Sequence, residues 1–271
     1  MLKIIIPLLI FQLNSYAQKK VFFSWSYNRS WHSKSDVKFQ TKDGTFYVDN
    51  ASGQDRPSDF SLKNYFSLNK IFIPQYNLKI GYQVRPNLAI VIGTDHMKWI
   101  FDNDKNYTIS GDYNGATYDT KAKKPIVWDS VKSSGNASWL EYEHSDGYNY
   151  VYAGAEFSQN IFSFYRDKFS LQLREGTGLG VLITKTKTEV YRGPTNKEVL
   201  DNPFKMTGYG AHLSLSSRLL FLKKLFLELE FKTTLIKVYN APFLGKSGEK
   251  VSHSPIFSLQ SKIGMGYIFT F

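Results

Sequence analysis

The residues best suited to chemistry are a few histidines and carboxylates: the neighbours Asp95 and His96, and the run His144-Ser145-Asp146. A histidine with a carboxylate and a hydroxyl supplies a base, an orienting group and a nucleophile, the minimal set for acyl transfer. Histidine and aspartate two positions apart are also a weak metal-ligand signal, and no metal or other cofactor is expected here. A second set carries charge in the middle of otherwise apolar-alternating segments: Glu156, Arg174, His212, Arg218, Glu228, Glu230, Lys232 and Lys262, with Lys79 upstream. The chain has no cysteine, which excludes disulfides, thiol chemistry and Cys-ligated metals.

What positions these residues is a pattern of period 2, which sends alternate side chains to opposite faces of a sheet. In the last strand, Phe257, Leu259, Ile263, Met265, Tyr267, Phe269 and Phe271 share one parity, with Ser258, Gln260, Lys262, Gly264 and Gly266 on the other. The same two-faced pattern recurs near 21–30, 75–83, 88–95, 148–157, 169–181, 208–218 and 225–234, giving eight strands. An apolar core would not accept the unpaired mid-strand charges of the polar face. The expected arrangement is therefore inverted, with apolar side chains outward to lipid and polar ones lining the bore. Connections alternate short (around Pro86, 159–167, 221–224) and long (32–74, 101–147, 184–203, 240–253), the asymmetry of transmembrane barrels. The expected fold is all-β: an eight-stranded antiparallel transmembrane β-barrel with short periplasmic turns and long extracellular loops. One residue resists this parity, since Glu175 falls on the lipid-facing side, and a bulge near the neighbouring glycines would relieve it.

The N-terminus reads as a secretory signal over residues 1–17: Lys3, the apolar run Ile4 to Phe11, then Ser15-Tyr16-Ala17 before a cleavage site. Residues 18–271 form the barrel domain. The last strand, ending on Phe271 with Tyr267 and Phe269 on the same face, resembles the C-terminal signature of bacterial outer-membrane β-barrels. The whole chain resembles small barrels of the OmpA/OmpX/OmpW kind and their Gram-negative envelope relatives. That resemblance implies a monomer in the outer membrane, with the last strand recognised by the barrel-assembly machinery.

An eight-stranded bore is just wide enough to be filled by its own side chains, so its charges are expected to pair and plug it. The rim is expected to gather Trp31-His32, Asp95 to Trp99, His144 to Asp146 and His253, with Asp95, His144 and Asp146 turned inward and His96 outward. The favoured function is a non-enzymatic barrel acting in envelope integrity or surface interaction. Alternatives are a lipid-A or phospholipid acyl-modifying enzyme using His144, Asp146, Asp95 and His96, and a narrow channel for a small solute. Lysines in the long connections (121–124, 185–187, 246–250) are expected to meet outer-membrane lipid and the phosphates of lipopolysaccharide, and no nucleic-acid partner is expected, since secretion removes the chain from it. Residues 38–48 read as a hairpin above the membrane, turning at Asp43-Gly44.

Overall fold

A computed structural model describes residues 19–65, 74–102, 105–113, 116–118, 123–125, 140–166, 168–191, 197–244 and 248–271. The signal segment, and the lysines at 121 and 246, lie outside the described residues. The strands in the first half are β1 (Lys20–His32), β2 (Ser35–Thr41), β3 (Gly44–Ala51), β4 (Gly53–Gln54), β5 (Tyr76–Arg85), β6 (Leu88–Phe101), β7 (Asn106–Tyr113), β8 (Ala116–Tyr118) and β9 (Lys123–Pro125). Then come β10 (Leu140–Phe164), β11 (Phe169–Thr184), β12 (Lys187–Tyr191), β13 (Lys197–Asp201), β14 (Lys205–Phe221), β15 (Leu225–Val238), β16 (Lys250–His253) and β17 (Ile256–Thr270). One short helix, α1 (Leu62–Tyr65), lies between β4 and β5.

Eight of these strands, β1, β5, β6, β10, β11, β14, β15 and β17, pair in a ring that closes on itself where β10 meets β6. Every neighbouring pair is antiparallel. The chain ends are joined by β1 and β17, in register from Lys20 opposite Thr270 to His32 opposite Ser258. Closure leaves no unpaired edge, which is the condition for a sheet to cross hydrocarbon.

The two faces sort as alternation dictates. On β15, Leu225, Leu227, Leu229, Phe231 and Leu235 are exposed outward, while Phe226, Glu228, Glu230, Lys232 and Thr234 are buried inward. Around the ring, Leu179 and Ile263 are 72% and 70% exposed. So continuous an apolar band on a closed cylinder of charged interior is a lipid-facing surface. The short turns, at Pro86-Asn87, around Tyr165 and at Leu222 to Lys224, all lie at one end, and by the asymmetry of such barrels that end faces the periplasm.

The long connections differ from the sequence expectation. Much of their length is strand, not loop. A second, six-stranded sheet, ordered β16-β2-β3-β7-β8 with β9 also on β7, is built from three of them on the outer end of the ring. Its hairpin β2–β3 turns through Lys42-Asp43, with Gly44 already paired to Thr41. Gly44 has φ 132°, a conformation side-chain-bearing residues avoid, and an added Cβ there would strike the backbone oxygen of Asp112. Val37, Phe39, Phe46 and Val48 are fully buried. Phe39 stacks on Phe46 at 4.6 Å and meets Tyr142 and Phe243 edge-on. The hairpin read over 38–48 is thus present, and its inward side chains supply an apolar core outside the membrane band.

Glu175 keeps its outward parity. It is exposed, opposite Phe157 and Leu215, and the register of β11 runs unbroken through it. No bulge relieves it, and a carboxylate stands on the lipid face. Leu229→Arg, near the middle of the outward column of β15, is expected to cost roughly 2–4 kcal/mol in urea unfolding from phospholipid vesicles. Glu175→Leu is expected to raise stability in the same assay, and a loss there would show that the carboxylate has a partner.

Candidate functional site

The bore is stacked in layers. At the periplasmic end Phe22 and Phe226 meet edge to face at 6.3 Å, and the Arg218 guanidinium sits 4.5 Å and 3.8 Å from their ring centres. Cations over aromatic faces gain from the ring quadrupole, most when water is excluded. Above this layer is one connected set of ion pairs. Arg174 donates to Glu156 from Nε (3.1 Å) and Nη2 (2.8 Å). Lys79 Nζ bridges Glu156 (2.7 Å), Glu230 (2.6 Å) and Glu228 (3.6 Å). Glu228 also accepts from Arg218 (3.1 Å) and the Ser216 hydroxyl (2.9 Å). Lys262 reaches Glu230 at 3.0 Å and passes the chain of charge to Asp95 at 2.7 Å.

Asp95 is the uppermost anion of this set, 0% exposed. It accepts from Lys232 (2.9 Å), Lys262 (2.7 Å) and the Asn77 amide (2.7 Å). Over it lies a layer of neutral polar groups: Asn28, Gln75, Asn77 and Gln260 linked by amide hydrogen bonds, with Tyr150, Tyr152 and His212 across the bore. Tyr152 covers the Lys232 ammonium at 3.7 Å. Gly178 and Gly180 make the room: a Cβ on Gly180 would lie 2.7 Å from the Tyr150 ring, and one on Gly178 2.6 Å from the His212 ring.

All of Glu156, Arg174, Arg218, Glu228, Glu230, Lys232 and Lys262 are buried in this one network. His212 stands beside it, with Nδ1 3.2 Å from the Tyr150 hydroxyl and its ring edge-on to Tyr152. Tyr267 and Phe269 pack at 4.8 Å near the periplasmic end of β17, and Phe271 follows it, exposed.

The four residues considered for acyl transfer are not brought together. Asp95 belongs to the bore, because β6 continues six residues past it to Phe101. His96 turns away from Asp95, with Nδ1 2.7 Å from the Asn149 amide oxygen and its ring stacked on Tyr76. A bulge between His144 and Tyr148 pushes Asp146 outward. The Asp146 side chain is 68% exposed and 3.4 Å from Lys185. His144 is buried in the outer core, its Nε2 against the Tyr142 hydroxyl (3.0 Å) and its Nδ1 against the Thr186 hydroxyl (3.1 Å). Trp99, expected at an open rim, is buried against His253 and Tyr142. Among the described residues no three of His, Asp and Glu are grouped to hold a metal ion.

Trp99, His144 and His253 do gather at the outer end as expected, but with Tyr142 and Tyr148 they form a buried cluster and not an open rim, because the second sheet, through β16, covers them. Burial pushes the His144 imidazole down to about 3, and burial followed by the charges of His144 and Lys237 pushes His253 well below the ordinary histidine value. Both lie above the lipid band.

Two predictions follow from these geometries. Asp95→Ala strands two buried ammonium groups and is expected to cost roughly 3–5 kcal/mol in urea unfolding, with Asp95→Asn intermediate. The buried histidines are depressed in the fold, so their contribution is complete above the unfolded value near 6.5 and is lost as pH falls below it, toward about 3 for His144. The protection of β2 and β3 against hydrogen exchange, corrected for the intrinsic rate at each pH, is therefore expected to fall between pH 6.5 and 4, and His253→Gln to flatten that dependence.

No protein-family model matches the sequence, and no curated protein matches it. Among solved structures the chain is similar to the outer membrane protein AlkL, determined in lipid bilayers, at 10% identity and a TM-score of 0.41, covering 98% of each chain. It is similar to the attachment invasion locus protein Ail of Yersinia pestis at 11% identity and a TM-score of 0.34, covering 93% of this chain and 100% of that one. Neisserial surface protein A gives 10% identity and a TM-score of 0.36 over 92% and 96%. Its own ring, apolar outside and ionic within, makes this chain an integral membrane β-barrel of eight strands.

Proposed function

We propose that this protein is a non-enzymatic barrel of the outer membrane whose working part is the sheet on its outer end, acting in surface interaction or envelope integrity. The observation that carries this is the pairing of two features in one molecule. A bore filled by ion pairs serves as a rigid pedestal, and a separate apolar core outside the lipid band holds six further strands in place. A core that makes no contact with lipid costs chain entropy to order, and its return is a defined outer surface.

Lipopolysaccharide is the partner this surface suits. Lys34, Lys42, Lys63 and Lys250 are exposed there, while Lys105 and Arg56, also exposed, pair with Asp102 (2.6 Å) and Glu143 (3.5 Å). Lys185 and Lys187 are less available, since each sits in ion pairs with neighbouring carboxylates. Long-range attraction of ammonium groups to lipid phosphates falls with salt. The purified protein in nanodiscs is expected to bind lipopolysaccharide-containing vesicles, more weakly from 50 to 300 mM salt, and severalfold more weakly with Lys34, Lys42 and Lys250 all changed to Gln. Salt-independent binding, or none, overturns the partner. A changed lipid-A acyl pattern on expression, seen by mass spectrometry, overturns the non-enzymatic role.

A further inference from the structure

The periplasmic end of the bore is an open vestibule of about 410 Å³, and its lining is one-sided in charge. Lys20, Arg174, Arg218 and Lys223 contribute to it, and among the described residues no carboxylate does. Serine, asparagine and glutamine side chains supply neutral donors, among them Asn160 and Ser163. Phe22 and Leu220 give it an apolar floor.

Three further observations point to an occupant. The buried network beneath the floor is not neutral: Lys79, Arg174, Arg218, Lys232 and Lys262 face only Asp95, Glu156, Glu228 and Glu230. One positive charge is left over, and both arginines stand at the vestibule side. Arg218 is 1% exposed, and its Nε donor has no hydrogen-bond partner. Its guanidinium carbon lies 4.5 Å and 3.8 Å from the Phe22 and Phe226 ring centres, which pack against it at the vestibule side. A buried unpaired donor on a charged group is costly, and a guanidinium edge matches a planar or tetrahedral oxyanion.

We propose that this vestibule is a binding site for a small oxyanion group, a phosphate or carboxylate, presented from the periplasmic side. The group would sit between the arginines and the two mouth lysines. Its source is either a free anion or the headgroup of a phospholipid in the inner leaflet.

The experiment is calorimetric titration of the full mature chain in neutral detergent with inorganic phosphate and with acetate. A parallel measurement uses nanodiscs of phosphatidylcholine with and without phosphatidylglycerol, read by the thermal midpoint of the barrel. Saturable uptake of phosphate or acetate in detergent identifies a free anion, and stabilisation by phosphatidylglycerol alone identifies a headgroup. The double variant Lys20→Gln, Lys223→Gln leaves every ion pair of the bore intact and is expected to weaken either response by roughly tenfold. Arg218→Gln is expected to abolish it, and the lysine variant keeps the test open should that chain not fold. Absence of both responses, or an unchanged response in the lysine variant, overturns the proposal.

Discussion

The pairing of β1 with β17 is the contact on which the molecule depends, because it turns an eight-stranded sheet into a cylinder. In hydrocarbon there is no water to satisfy a bare amide or carbonyl, so an open sheet would leave two unpaired edges at several kcal/mol for each group, in order of magnitude. Closure removes that cost and forces the division of side chains. With the backbone satisfied in the wall, outward positions have only lipid to meet, and inward positions must fill a narrow space without it.

Filling that space with charge is stable only when each ion finds partners at once. Removing charges from water is expensive, and mutual attraction repays it only in good geometry. The bore meets this condition with shared ligands: Lys79 serves Glu156, Glu228 and Glu230, and Asp95 serves two lysines and an amide. Above Asp95 the content changes from ions to amides and phenols and then to the apolar outer core. Arg174 and Arg218 keep their charge through Glu156 and Glu228, whereas burial holds His144 and His253 neutral.

The parts legible in the sequence are those that depend on period alone. Eight strands, their faces and the short turns follow from alternation, and so does the inward set from Glu156 to Lys262. Three things were hidden. The end of β6 was one, since Asp95 to Trp99 alternates no more weakly than the strand before it, and this placed Asp95 at a rim when it lies within the bore. The second sheet was another, because pairings such as Val251 with Phe39 join segments far apart in the chain. The bulge after His144 was the third, since it depends on β6 offering one residue where β10 has three. The acyl-transfer arrangement failed on these three points together.

The outer sheet draws β2 and β3 from one connection, β7 to β9 from the next and β16 from the last, so beyond the local hairpins β2–β3 and β7–β8 its pairings join distant segments. Those distant pairings form only once the staves that carry them stand side by side. Phe39 and Phe46 already face each other within one hairpin, but Tyr142 and Phe243 reach them from other parts of the chain, so the shared aromatic core is complete only when the ring has closed. Construction is thus obliged to run from the wall to the crown, and the crown can serve as evidence, from outside the cell, that the wall beneath it was finished.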